Sequence, residues 1–144
     1  MLHLSDIFIR LILAVVFGSI IGLEREAKGR SAGLRTHILV CEGSALIMLV
    51  SLYMYDLFGE SLSLDPARIA AGVVTGIGFL GAGAIIRSPQ EVRGLTTAAS
   101  VWVSAAIGLA VGCGFIVGGL ITTLIAILTL SFLKIVERKL EKEE

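Results

Sequence analysis

Glu42 is the residue that most needs a chemical explanation, because it stands inside the apolar stretch Thr36–Phe58. A carboxylate in hydrocarbon is costly and marks a candidate site. Two chemistries suit it. One is an internal ion pair or hydrogen bond across a helical bundle, and the other is a proton or cation site. Arg35 precedes Glu42 by two helical turns, so both fall on one helix face and the long arginine stem can reach inward. Arg35 is therefore one candidate partner for Glu42, and the two chemistries stay open. A second charged group, Glu24, Arg25, Glu26, Arg30, Arg35 and His37, fills a gap between apolar stretches, and Arg87, Glu91 and Arg93 fill a later gap. Such carboxylates suit Mg²⁺, a hard cation that takes oxygen ligands. Neighbouring arginines compete for the same oxygens. The preferred expectation is a salt-bridge network that locks the two loops together, and no metal ligand set is assigned.

Other chemistry is absent from the pattern. There is no HExxH, GxSxG or paired-cysteine motif, so neither enzyme activity nor a cofactor is expected. The glycines of 76–83 are not a nucleotide loop, since no lysine follows them. Cys41 and Cys113 are expected to be small buried hydrophobes, and Trp102 to pack in a core. Zero net charge argues against a nucleic-acid partner.

The elements that position these residues must be membrane helices. Hydrophobic residues make up 56% of the 144, only 17% are charged, and mean hydropathy is +0.93. A soluble domain of this size could not hide so much apolar surface. The expected fold is all-α: a single transmembrane domain over 1–144, a bundle of five helices spanning about 7–23, 36–58, 67–86, 95–111 and 115–133. The uncharged run Leu95–Leu133 is too long for one crossing and must turn, most simply at Gly112-Cys113-Gly114. Ser5 or Asp6 can cap the first helix. Asp65-Pro66 caps the third, and Ser88-Pro89 ends it. The first helix is not a cleavable signal, because a charged stop-transfer stretch follows it.

Arg25, Lys28, Arg30, Arg35, Arg87, Arg93, Lys134, Arg138, Lys139 and Lys142 would all lie on one side, against Arg10 and Arg68 on the other. The positive-inside rule then puts the N-terminus outside and the C-terminus in the cytoplasm. The tail Glu137–Glu144 would extend the last helix into water. A weak repeat at an offset of 61 pairs Gly33-Leu34-Arg35-Thr36 with Gly94-Leu95-Thr96-Thr97, and Gly22 with Gly83. Helices in lipid associate by close approach of small residues. Gly18, Gly22, Gly76, Gly83, Ser104, Gly108 and Gly112 are the expected packing positions, within the bundle or at a homodimer interface.

Four motifs in order carry a family resemblance: Gly22-Leu23-Glu24-Arg25-Glu26, Ala32–Val40, Gly76–Gly83, and Val92–Ala99 with Trp102. Together they resemble the membrane domain of the MgtC/SapB family, over nearly the whole chain. The resemblance implies a bacterial inner-membrane protein tied to magnesium limitation and, in some pathogens, to survival inside hosts. It implies a regulator that restrains the proton-driven ATP synthase rather than a pump. It carries Glu24, Arg25, Glu26, Arg35, Thr36 and His37 over as family positions. Two departures are expected: there is no appended cytosolic domain, and Glu42 stands where the family pattern is usually apolar or small. The expected function is therefore a non-enzymatic regulator linked to magnesium homeostasis and virulence-type adaptation. It would act in the lipid bilayer through a membrane-protein partner, with the ATP synthase implied by the family. The alternative is a Mg²⁺ or proton transporter or channel using Glu42 and the Gly-rich third helix.

Overall fold

The computed structural model describes residues 3–62 and 64–140, with side chains described to residue 59 and over 64–132. Among the described residues there are five helices: α1 (Leu4–Ala27), α2 (Leu34–Leu62), α3 (Pro66–Gly83), α4 (Leu95–Gly112) and α5 (Ile116–Leu140). The first four are long and apolar enough to cross a membrane, and the apolar part of α5 among the described residues is Ile116–Phe132. Large apolar side chains such as Phe8, Val16, Val50, Leu124 and Leu128 cover the outer surface. That is the surface lipid requires.

Local sequence explains most helix ends. Asp65 caps α3, its Oδ1 accepting from the Ala67 amide at 2.9 Å, with Pro66 as the first helical residue. The Gly112–Gly114 corner forms as expected. Gly114 has φ +94°, a left-handed conformation that glycine adopts without a Cβ penalty. The glycines of the repeat both precede a helix start, at Leu34 and at Leu95. Three boundaries differ from expectation. His3 is the N-cap of α1 and no side chain caps it, so neither Ser5 nor Asp6 plays that part. α3 stops at Gly83 rather than 86, and a two-residue antiparallel ladder follows, β1 (Ile86–Arg87) paired with β2 (Val92–Arg93). Pro89 in the intervening turn excludes helix there. The later part of the tail, 141–144, lies outside the described residues.

Packing centres on α4, which touches each of the other four helices. On α1 the buried residues Ala14, Phe17, Gly18, Ile21, Gly22 and Arg25 recur at helical spacing and form one stripe. Gly18 and Gly22 bring α1 onto α2. A Cβ built at Gly18 would lie 2.7 Å from the His37 carbonyl oxygen, and one at Gly22 would lie 2.7 Å from Leu34 Cα. On α4, Cβ atoms at Gly108 and Gly112 would collide with the Cys41 and Ala45 backbone of α2. Ser104 is fully buried and donates to the Ser100 carbonyl at 3.1 Å. These five positions pack inside the bundle.

Gly76 and Gly83 do not. A Cβ at either would meet nothing within 4 Å. The reason is that α3 lies at the rim and buries only Ile77 and Gly81. Trp102 is also not a core residue. It is 46% exposed on α4, on the lipid-facing side of the helix. Both cysteines are free, Cys41 buried and Cys113 exposed.

Candidate functional site

Buried arginine and histidine side chains meet at the end of the bundle where α1 stops and α2 and α4 begin. Arg25 is 2% exposed and His37 is fully buried. Arg25 reaches α4, with Nη2 donating to Thr97 Oγ1 at 3.2 Å. Its Nη1 lies 3.8 Å from Glu24 Oε2. Glu24 also pairs with Lys28, one turn later at the C-cap of α1. Lys28 Nζ donates to the Leu130 carbonyl of α5 at 3.1 Å. One carboxylate thus faces two cations. Neither Glu24 oxygen makes a well-aligned hydrogen bond, and Arg25 Nε has no partner.

His37 joins α2 to α4. Nδ1 lies 2.8 Å from the Gly33 carbonyl oxygen and Nε2 lies 3.1 Å from Ser100 Oγ. Ser100 also lies 2.8 Å from the Thr97 carbonyl. A carbonyl only accepts, so Nδ1 carries a proton. The single hydroxyl hydrogen of Ser100 then decides the rest. If it goes to Nε2, the ring is neutral. If it goes to Thr97, Nε2 must donate and the ring holds both protons. A chain of contacts Gly33–His37–Ser100–Thr97–Arg25 therefore crosses three helices.

Glu26 does separate work. Its Oε2 accepts from the Leu34 amide at 2.9 Å, so a carboxylate sits on an unsatisfied donor in the first turn of α2. That is a favourable place for negative charge.

The remaining expected site residues stay apart. Arg35 is exposed, Glu42 is half-buried, and no contact joins them. That candidate pairing does not form because burial on α2 follows the face of His37, Cys41, Ser44 and Ala45, which meets α1 and α4. Arg35 lies off that face and Glu42 on its flank. Arg93 pairs with Glu91 on the exposed hairpin, both side chains at least half exposed. The expected network between the two loops is therefore not built from Arg93. Sequence reasoning left Thr97, Ser100 and Lys28 out of the site. The spacing of Glu24 and Lys28, one turn apart, is the signal that could have found that pair. The reach of Lys28 to the Leu130 carbonyl has no local signature.

At the other end of the bundle, Arg10 Nη1 donates to the Gly112 carbonyl at 2.9 Å. It places a cation on the negative end of the α4 dipole.

Comparison with known proteins agrees with the motifs. The family model described as "MgtC family" matches residues 11–139. "Putative magnesium transporter YhiD" of Escherichia coli K12 is 48% identical over 128 residues, covering 88% of this chain and 60% of its own. Protein SapB of Bacillus subtilis is 38% identical over 138 residues, 94% of this chain and 60% of its own. Protein MgtC of Salmonella typhimurium 14028s is 46% identical over 118 residues, 81% and 48% respectively. The matched region therefore spans about half to three-fifths of these relatives. No solved structure matches. With its apolar helices, its glycine-packed core and this match along nearly its whole length, the chain belongs to the MgtC family, as a multi-pass protein of the bacterial inner membrane.

Proposed function

We propose that this protein is a non-enzymatic membrane regulator linked to Mg²⁺ homeostasis, which crosses the bilayer five times and acts by helix-to-helix contact with another membrane protein. The observation that carries this reading is the unused glycine face of α3. Gly72 and Gly76 of α3 and Gly43 of α2 would each take a Cβ without touching anything within 4 Å. They border a groove of about 500 Å³ between α2 and α3. Small residues let helix backbones approach closely in lipid. The glycines of α1 and α4 are already consumed inside the bundle, whereas these are left over. In this reading the N-terminus is outside and the charged end faces the cytoplasm, where the buried cluster fixes the geometry of α1, α2 and α4. The family resemblance makes the proton-driven ATP synthase the first partner to test.

One observation favours the alternative of cation transport. Glu42 is half-buried in an apolar helix with no hydrogen-bond or ion-pair partner among the described residues. A single pair of experiments separates the readings. Purified protein in proteoliposomes is expected to pass neither Mg²⁺ nor protons under imposed gradients. Leucine at Gly72 and Gly76 is expected to abolish co-purification with the ATP synthase while leaving helix content unchanged. Flux that disappears in Glu42→Gln would overturn the regulatory reading in favour of transport.

A further inference from the structure

We propose that the seam between α4 and α5 holds one acyl chain of an anionic phospholipid, with its phosphate at Lys28. This does not depend on the regulatory reading. The seam contains a groove of about 260 Å³, with walls that include Thr96, Ala99 and Val103 of α4 and Ile125 and Leu130 of α5, and with Ile21 of α1 also lining it. Its α4 wall runs from residue 96 to 103, about 10 Å along the helix axis. The groove is thus elongated in the direction in which lipid tails lie. Its volume is slightly below the usual range for small-molecule pockets, roughly 300–1,000 Å³, and takes the headgroup-proximal part of a single chain.

Charge decides which lipid. The groove ends at Leu130, and the Leu130 carbonyl is the group on which Lys28 sits, at 3.1 Å. Ile21 lies one turn before Arg25 on α1 and two turns before Lys28 at its C-cap, so the groove leads directly to the cluster. There the single negative charge of Glu24 faces both Arg25 and Lys28, which leaves one positive charge in excess. Lys28 has three N–H donors. The Leu130 carbonyl accepts from one, Glu24 faces the ammonium as an ion pair, and the side chain keeps 28% exposure for a further partner. A phosphate diester with net negative charge balances this end. A zwitterionic headgroup adds no net charge and balances nothing.

The test is native mass spectrometry of the full chain, released from mild detergent with equal phosphatidylglycerol and phosphatidylcholine of matched tails. The expected result is one phosphatidylglycerol retained per chain, at about fivefold preference, the scale of one basic residue at a lipid surface. Lys28→Gln should bring the two lipids level, and Lys28→Arg should keep the preference. Val103→Trp fills the groove and should reduce retention of both lipids. Glycerol phosphate in excess should not displace the lipid, because it lacks the tail. Equal retention of both lipids by the wild type would overturn the proposal, as would no retention at all. So would a preference that survives Lys28→Gln, retention unchanged by Val103→Trp, or displacement by glycerol phosphate alone. None of these outcomes bears on co-purification of a protein partner, so the two readings fail separately.

Discussion

Arg25 on α1 and Thr97 on α4 are 72 positions apart in the chain, yet the Arg25 guanidinium donates to the Thr97 hydroxyl at 3.2 Å in a site almost closed to solvent. The contact gives a buried cation a neutral acceptor in addition to its acidic neighbour Glu24. It also ties the end of α1 to the start of α4. Hydrogen bonds to charged groups contribute roughly 1.5–3 kcal/mol, and a stranded buried donor costs its desolvation. Thr97→Val is therefore expected to lower unfolding stability by about 2 kcal/mol. Thr97→Ser should retain most of it. Equilibrium unfolding in mixed micelles measures both, and equal losses for the two variants would argue against the hydrogen bond.

His37 and Ser100 should be energetically coupled. Their 3.1 Å contact links α2 to α4, and both side chains are buried. A double-mutant cycle with His37→Ala and Ser100→Ala is expected to give a coupling of roughly 0.5–3 kcal/mol. Nitrogen NMR of the ring should find Nδ1 protonated in every state, since its partner is a carbonyl. An unprotonated Nδ1 would contradict this arrangement.

Glycines that look alike in the sequence should differ in consequence. At Gly108 an added methyl would overlap the Cys41 carbonyl oxygen and lie 2.8 Å from Ser44 Cβ. Overpacking of this kind costs about 1–3 kcal/mol, so Gly108→Ala should destabilise by that amount or more. At Gly72 the same methyl meets nothing within 4 Å. Gly72→Ala should be neutral or should stabilise by up to about 1 kcal/mol, because alanine is the better helix former. Thermal unfolding of the two variants side by side checks the contrast.

Arg10 should matter more than its place near the end of α1 suggests. It bonds the Gly112 carbonyl, one of the α4 acceptors that the helix itself cannot satisfy. Arg10→Leu removes that partner while improving hydropathy. The expected loss is roughly 1–2 kcal/mol, with Arg10→Lys intermediate. A gain in stability for Arg10→Leu would show that hydropathy outweighs the cap.

Arg35→Ala and Glu42→Gln should act independently. The two side chains make no contact with one another. Their effects on stability should add within about 0.5 kcal/mol. A larger coupling, measured by the same micelle unfolding, would mean that the pair forms in the membrane.

Much of this architecture could be read from one dimension of information. Hydropathy marks apolar runs, and in lipid a run of about 20 residues must become a helix, since no other open structure satisfies its backbone. Asp65-Pro66 and Gly112–Gly114 are local signals, and each acts where it stands. Even the packing glycines Gly18, Gly22, Gly108 and Gly112 were legible as small residues one turn apart.

What the chain could not show by itself was which helix each stripe would meet. Spacing puts Gly76 and Gly83, two turns apart, on one stripe as it does Gly108 and Gly112, one turn apart, but only the second pair lies against a neighbour, because α4 is central and α3 is at the rim. Spacing likewise puts Arg35 and Glu42 on one face, but it cannot say that a different face of α2 is the one buried. Contacts such as Arg25–Thr97, His37–Ser100 and Lys28–Leu130 join residues 63 to 102 positions apart. Helix propensity and hydropathy are properties of neighbouring residues, whereas these contacts depend on the angle and rotation at which whole helices dock. The sequence determined that this is a bundle of apolar helices with a charged end. Tertiary packing alone decided which of those charges are buried together and which face outward.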